Sequence, residues 1–171
     1  KNVKNKKAVY RIHDFPDQEK IKELKEVCKN FGYKLETKGK GLAKSLNKIL
    51  NSIKGKQEQN MIDNLAIRAM SKAEYSTKNI GHYGLSFSKY THFTSPIRRY
   101  PDMMVHRILN KLLKNKEGTL ENNIEQCCIQ STKQEINATK AERESIKYMQ
   151  VKYMEDKIGH VFKGIISGIN D

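Results

Sequence analysis

Between residues 120 and 157 the chain carries neither proline nor glycine. These are the two residues that break helices most readily, proline by removing a backbone donor and glycine through the entropy it loses on ordering. So long an uninterrupted stretch predicts one long helix or two stacked ones, and it commits the fold to being mainly helical.

Three shorter helices are predicted ahead of it from apolar spacing at three and four residues. In "DQEKIKELKEVCKNFG", Ile21, Leu24, Cys28 and Phe31 share one face, with Pro16 before the start and Gly32 at the stop. "GLAKSLNKILNSIKG" repeats the pattern with Leu42, Leu46, Ile49, Leu50 and Ile53, and "QEQNMIDNLAIRAM" with Met61, Ile62, Leu65, Ala66 and Ala69. A fourth helix opens at Pro101 and Asp102, where proline suits the first turn and a carboxylate meets the positive end of the dipole. Its stripe is Met104, Val105, Ile108, Leu109, Leu112 and Leu113, and it is predicted to end near Gly118. "NIGHYGLSFSKYT" differs: its glycines, aromatics and rough alternation predict a short strand ending in a loop.

Both ends read as strands. "AVYRIHD" has no evident partner nearby, and "GHVFKGIISGIND" places Val161, Phe162, Ile165 and Ile166 in a strand-like run. One short strand cannot satisfy its own backbone. The expectation is therefore an α+β, mainly helical piece of a larger fold.

The formal charge of +14 and pI near 9.6 favour a polyanionic partner through counterion release and steered association. No run of about 18 apolar residues could span a membrane, and the basic start "KNVKNKKAVYRIHD" is followed by no apolar leader core. Cys28, Cys127 and Cys128 form no CxxC or Cys/His cluster, which fits a reducing, cytoplasmic setting better than a disulfide or zinc framework.

Residues 91–102, "THFTSPIRRYPD", concentrate the candidate chemistry. Only six of the 33 basic residues are arginine, and two of them, Arg98 and Arg99, stand side by side between prolines. A guanidinium fork grips phosphate oxygens at two points where lysine is a point charge. The helix start beyond Pro101 adds N–H groups and a positive dipole end. The competing readings are a solvated basic turn, or arginines paired with acidic residues such as Asp102. Tyr83, Phe87, Tyr90, Phe93 and Tyr100 crowd the same segment and could stack bases, although Phe87 and Phe93 read better as core. His82, His92 and His106 show no HxH or HExxH spacing and read as structural. Asp14, Asp17, Asp63, Asp102, Asp156 and Asp171 are dispersed, so no carboxylate cluster for a metal is visible in this chain. Glu142 and Glu144 read as a solvated helix face, and Cys127 and Cys128 as pointing into a helical interface.

"NIGHYGLSFSKYTHFTSPIRRYPDMMVHRIL" closely resembles a segment near the C-terminal end of the catalytic domain in the ribonuclease II/ribonuclease R family. "YRIHDFPDQEKIKELKE" before it and "AERESIKYMQVKYMEDKIGHVFKGIISGI" after it resemble the same family in the same order, closer to the bacterial ribonuclease R branch. The resemblance implies that residues 1–157 are the C-terminal part of an RNB catalytic domain and that 158–171 begin an S1 RNA-binding barrel with its first strand. It implies a processive 3′-to-5′ hydrolytic exoribonuclease that releases 5′-mononucleotides from single-stranded RNA, acting as a monomer. The Mg²⁺ ions would be held by aspartates outside this chain, so the 171 residues alone should hydrolyse RNA poorly or not at all. By the same resemblance Arg98 lies by the terminal phosphates, Glu142 lies near the 3′-terminal nucleotide, and Arg99 supports. Tyr90, His92, Thr94 and Ser95 would line the narrow end of the RNA channel.

Two other readings stay open. One is a non-catalytic RNA-binding member of the family. The other is a metal-independent ribonuclease using His92 or His106 as acid and base, which would cleave in EDTA and leave cyclic phosphates.

Overall fold

The structure is a computed structural model that describes residues 8–37, 39–114 and 123–164. These residues fall into two compact units, one made of the described residues among 8–14 and 73–162, the other of those among 15–72 and 163–164.

The second unit is three helices. α1 (Gln18–Asn30) begins where the Asp17 carboxylate accepts from the backbone N–H groups of Glu19, at 2.9 Å, and Lys20, at 3.4 Å. Such a cap contributes about 1 kcal/mol. Ile21, Leu24 and Cys28 are fully buried along one face. The helix closes as Gly32, at φ +79°, turns the chain so that the N–H of Tyr33 reaches the Cys28 carbonyl at 2.8 Å. Phe31, expected on the apolar face, caps the helix instead and is 47% exposed. α2 (Gly39–Ser52) and α3 (Gln59–Ala69) bury the expected positions, with Leu50 and Leu65 partly covered and Met61 left exposed. The N–H of Asp17 donates to the Ala69 carbonyl at 2.9 Å, which ties the start of α1 to the end of α3.

In the first unit, β1 (Tyr10–Ile12) pairs antiparallel with β2 (Glu74–Ser76), in the register Tyr10 to Ser76, Arg11 to Tyr75 and Ile12 to Glu74. The partner that "AVYRIHD" lacked locally is thus supplied from more than sixty residues away, a pairing that leaves no trace in local pattern. α4 (Tyr100–Leu113) and α5 (Ile124–Glu155) complete the unit. Met104 packs with Ile124 and Cys128, and with Val9 and Tyr75 of the strand segment. Cys127 is partly covered against this cluster, so both cysteines lie at the helical interface as expected. On α4 the predicted stripe is too wide: Val105 and Ile108 are partly covered, but Leu109 is 41% and Leu113 74% exposed.

α5 is one helix rather than two, about 48 Å long at 1.5 Å per residue. Its first turns are buried at Ile124 and Cys128, whereas Ile136, Ile146, Met149 and Val151 are about half exposed. The strand expected in "NIGHYGLSFSKYT" is instead a 3₁₀ turn, Tyr83–Leu85, flanked by isolated bridges from His82 to His13 and to Phe87. Local side-chain capping wins there: the Nδ1 atoms of His82 and His13 accept from the N–H groups of Leu85 and Gly84. A Cβ on Gly84 would lie 2.9 Å from that His13 nitrogen, so any larger residue there would force the His13 ring to shift. At the C-terminal end, residues 160–164 form no strand, and Ile165 and Ile166 lie outside the described residues. Among the described residues no helix is long and apolar enough to cross a membrane.

Candidate functional site: an arginine turn beside a polar cleft

Residues 95–98 form a tight turn in which the Ser95 carbonyl accepts from the N–H groups of Arg98, at 3.3 Å, and Arg99, at 3.0 Å. Arg99 then becomes the N-cap of α4, with Pro101 in its first turn. This geometry treats the two arginines differently. The Arg99 guanidinium is mostly covered and its Nη2 donates to Asp102 Oδ2 at 2.9 Å. Asp102 is fully buried. The same oxygen accepts the N–H of Ser95 at 2.8 Å. Arg98 is exposed and makes no ion pair or side-chain hydrogen bond with another described residue. Ion pairing with Asp102 therefore holds for Arg99 alone.

Arg98 and Arg99 line one wall of a cleft of about 850 Å³ with Tyr100 and Pro101; the facing wall is α5, including Gln126, Gln130, Gln134, Glu135 and Ala138. The one carboxylate among the described lining residues, Glu135, is already engaged by Arg11 at 2.6 and 2.9 Å. Positive charge thus dominates the cleft, as an anionic ligand requires. Tyr75 forms its floor, with the Arg11 guanidinium 4.6 Å from its ring centroid, and burial pushes its phenol pKa up. The phenol is 2.8 Å from His92 Nδ1. Burial first, then the charges of Arg99 and Arg11, hold His92 below its usual pKa.

The remaining candidates divide. Tyr90 packs edge-on against His82 and His92 and stacks with Phe87, while its carbonyl accepts the Arg11 N–H at 2.9 Å. Neither Tyr90 nor His92 lines the cleft, and His92 meets its floor at the Tyr75 hydroxyl. Thr94 is exposed on the turn, and Ser95 is its hinge. Phe87 and Phe93 are 54% and 42% exposed, which corrects their reading as core; Phe93 stacks on His106, with centroids 4.2 Å apart. His106 Nε2 lies 2.7 Å from the Phe93 carbonyl oxygen. One ring nitrogen each of His92 and His106 is thus committed to a local hydrogen bond, which favours the structural reading of both. Glu142 does not line the cleft. It lies one helical turn beyond Ala138 on the same face of α5, exposed.

Sequence reasoning missed Tyr75 and the amide row of Gln126, Gln130 and Gln134. The row's four-residue spacing is a readable signal of one helix face, but nothing in it says what that face meets. Among the described residues no three His, Cys, Asp or Glu side chains gather to hold a metal ion.

Comparison with known proteins agrees with this architecture. Residues 2–115 match the RNB domain family model. Ribonuclease R of Aquifex aeolicus is 42% identical over 165 residues, which cover 95% of this chain and 23% of that protein. Ribonuclease R of Escherichia coli is 32% identical over 174 residues, covering 95% and 21% respectively. The chain thus spans less than a quarter of the length of these curated relatives. The structure of Mycoplasma genitalium RNase R in complex with ribose-methylated single-stranded RNA superposes with a TM-score of 0.82 at 28% identity, over 96% of this chain and 27% of that one. A yeast pseudonuclease superposes at 0.57 with 30% identity, over 73% of this chain and 16% of that one. The chain belongs to the RNB domain family.

Proposed function

We propose that this chain forms the phosphate-holding wall of a hydrolytic 3′-to-5′ exoribonuclease, which degrades single-stranded RNA to 5′-mononucleotides as a cytoplasmic monomer. The observation that carries the reading is the division between the arginines. Arg99 is committed to the buried Asp102 while Arg98 stands uncommitted at a cleft whose carboxylate is already paired. Arg98 then binds a phosphate oxygen pair and stabilises charge that develops there as the phosphodiester bond breaks. Arg99 supports the turn. Glu142, one turn beyond the cleft, contacts the 3′-terminal nucleotide, and Tyr90, His92, Thr94 and Ser95 line the RNA path. Magnesium is the cofactor of the whole enzyme, held by residues other than these, and this chain's contribution is confined to the RNA.

Two RNase R structures support an RNA ligand by similarity, since the Mycoplasma genitalium protein was captured with single-stranded and with double-stranded RNA. The likeness to a pseudonuclease gives the second reading its footing: the same part of the fold serves in a protein described as a pseudonuclease. Incubating 5′-labelled single-stranded RNA with the protein expressed from the complete reading frame separates the two. The exoribonuclease shortens the RNA from its 3′ end, yields 5′-mononucleotides and stops in EDTA. Binding without shortening selects the non-catalytic member. Cleavage that persists in EDTA with cyclic-phosphate ends would return the histidines to candidacy.

A further inference from the structure

Asp102 is the only fully buried charged side chain among the described residues. A single oxygen of it gathers two donors, the Ser95 N–H at 2.8 Å and Arg99 Nη2 at 2.9 Å. Those donors are the two ends of the loop that presents Arg98. Between them stand Pro96, Ile97 and Arg98, of which Ile97 is wholly exposed and Arg98 exposed. The carboxylate therefore closes the base of the loop as a clamp and leaves its tip outside.

Stability alone does not account for this pair. Asp102 Oδ1 and Arg99 Nε are both buried without a hydrogen-bond partner among the described residues. A buried ion pair with unmet atoms gains little net free energy over an apolar pair of similar size. What the arrangement does settle is which arginine the carboxylate takes. Arg99 is the N-cap of α4 and Asp102 stands in its first turn, so the three-residue spacing brings their side chains together. Arg98 lies one residue earlier, on the turn. With Asp102 Oδ2 engaged by both Arg99 and Ser95, and Oδ1 buried, Asp102 offers no exposed carboxylate oxygen for Arg98 to collapse onto.

We infer that Asp102 is a positioning residue for Arg98: by clamping Ser95 and occupying Arg99 it delivers one guanidinium, rather than two competing ones, to the RNA phosphate. The inference rests on the proposal that Arg98 holds that phosphate. Asp102 itself touches no substrate and acts only through the loop. A misplacement of the guanidinium by about 1 Å is enough to cost up to about a hundredfold in rate.

The test is a double-mutant cycle in the protein expressed from the complete reading frame, reading single-turnover kcat and RNA Kd separately. Asp102→Asn keeps an acceptor for Ser95 but removes the charge that holds Arg99. It is expected to lower kcat by about tenfold or more while Kd changes by less than about threefold. In the Arg98→Ala background the same substitution is expected to cost nothing further, because the group it positions is gone. Arg99→Gln provides a second route should Asp102→Asn not fold. It releases the Asp102 charge, which can then capture Arg98, and it should show the same loss in the Arg98 enzyme and none in the Arg98→Ala enzyme. Equal losses in both backgrounds would show that Asp102 serves only the fold, and an unchanged kcat in Asp102→Asn would overturn the inference outright. If Arg98→Ala alone keeps wild-type turnover, the phosphate reading fails rather than the clamp, and the two failures are distinguishable.

Discussion

Arg11 and Glu135 stand 124 positions apart in sequence and meet in a two-pronged ion pair, with Nη1 and Nη2 at 2.6 and 2.9 Å from the two carboxylate oxygens. The pair links β1 to the middle of α5, and the same guanidinium covers the ring of Tyr75. It fixes the strand layer against the long helix while neutralising the carboxylate that would otherwise face Arg98. A lysine could keep the charge but neither the fork nor the planar stacking. Arg11→Lys should therefore destabilise the chain by about 1 kcal/mol, since solvent at the half-exposed Glu135 screens the charged hydrogen bonds. Urea unfolding measures this directly, and an unchanged midpoint would show that the pair is only a surface contact.

The core of the second unit makes a larger claim. Leu24 and Ile62 are fully buried on facing helices α1 and α3. Truncating either to alanine should cost about 2–5 kcal/mol, the transfer loss plus the cavity left behind. Met61→Ala, one residue from Ile62 but exposed, should cost less than about 1 kcal/mol by the same measurement.

Acid should weaken the fold before carboxylates titrate. Burial and then the charges of Arg99 and Arg11 lower the pKa of His92; burial, His13 and Arg11 lower that of His82. The unfolded chain, with imidazoles near 6.5, then binds protons that the folded chain resists. Above that value the histidines cost nothing, and stability is lost as pH falls through it and on toward the depressed folded values. The urea midpoint should drop between about pH 7.5 and 5.5, and the drop should shrink in His82→Asn. Glu125, held below its ordinary pKa by hydrogen bonds from Thr77, adds its own loss only at lower pH.

Cysteine labelling tests the α4–α5 interface. Burial, with smaller contributions from Glu125 and Cys127, pushes the Cys128 thiol up to about 12. At mildly alkaline pH it stays protonated, unreactive and out of reach, and Cys28 is likewise buried with its pKa raised. Iodoacetamide should modify Cys127 before Cys128 in the native chain and all three cysteines in urea, read by peptide mass spectrometry. Equal native rates for the two neighbours would contradict the packing of Cys128 under Met104.

The helices were legible because each carries its own evidence: the period of Ile21, Leu24 and Cys28, the stop at Gly32, the absence of breakers along α5. What was not legible depends on partners distant in sequence. β1 finds β2 across α1–α3, and Arg11 finds Glu135 across most of the chain, neither of which any local pattern encodes. The loop at 80–90 misled because alternating aromatics resemble a strand, while two histidine side chains cap a 3₁₀ turn instead. The arginine pair was visible as a motif. That Asp102 would take one arginine and leave the other was open in sequence, because both lie within reach of that carboxylate until the turn at Ser95 is drawn.

The central claim is that Arg98 acts on an RNA phosphate. Its most direct test is the rate at which the protein from the complete reading frame releases mononucleotides from single-stranded RNA, wild type against Arg98→Lys. Because lysine supplies charge without the fork, the rate should fall by about a hundredfold while RNA binding changes only a few fold. Wild-type turnover in Arg98→Lys would remove Arg98 from the chemistry and leave the turn as a structural feature of the fold.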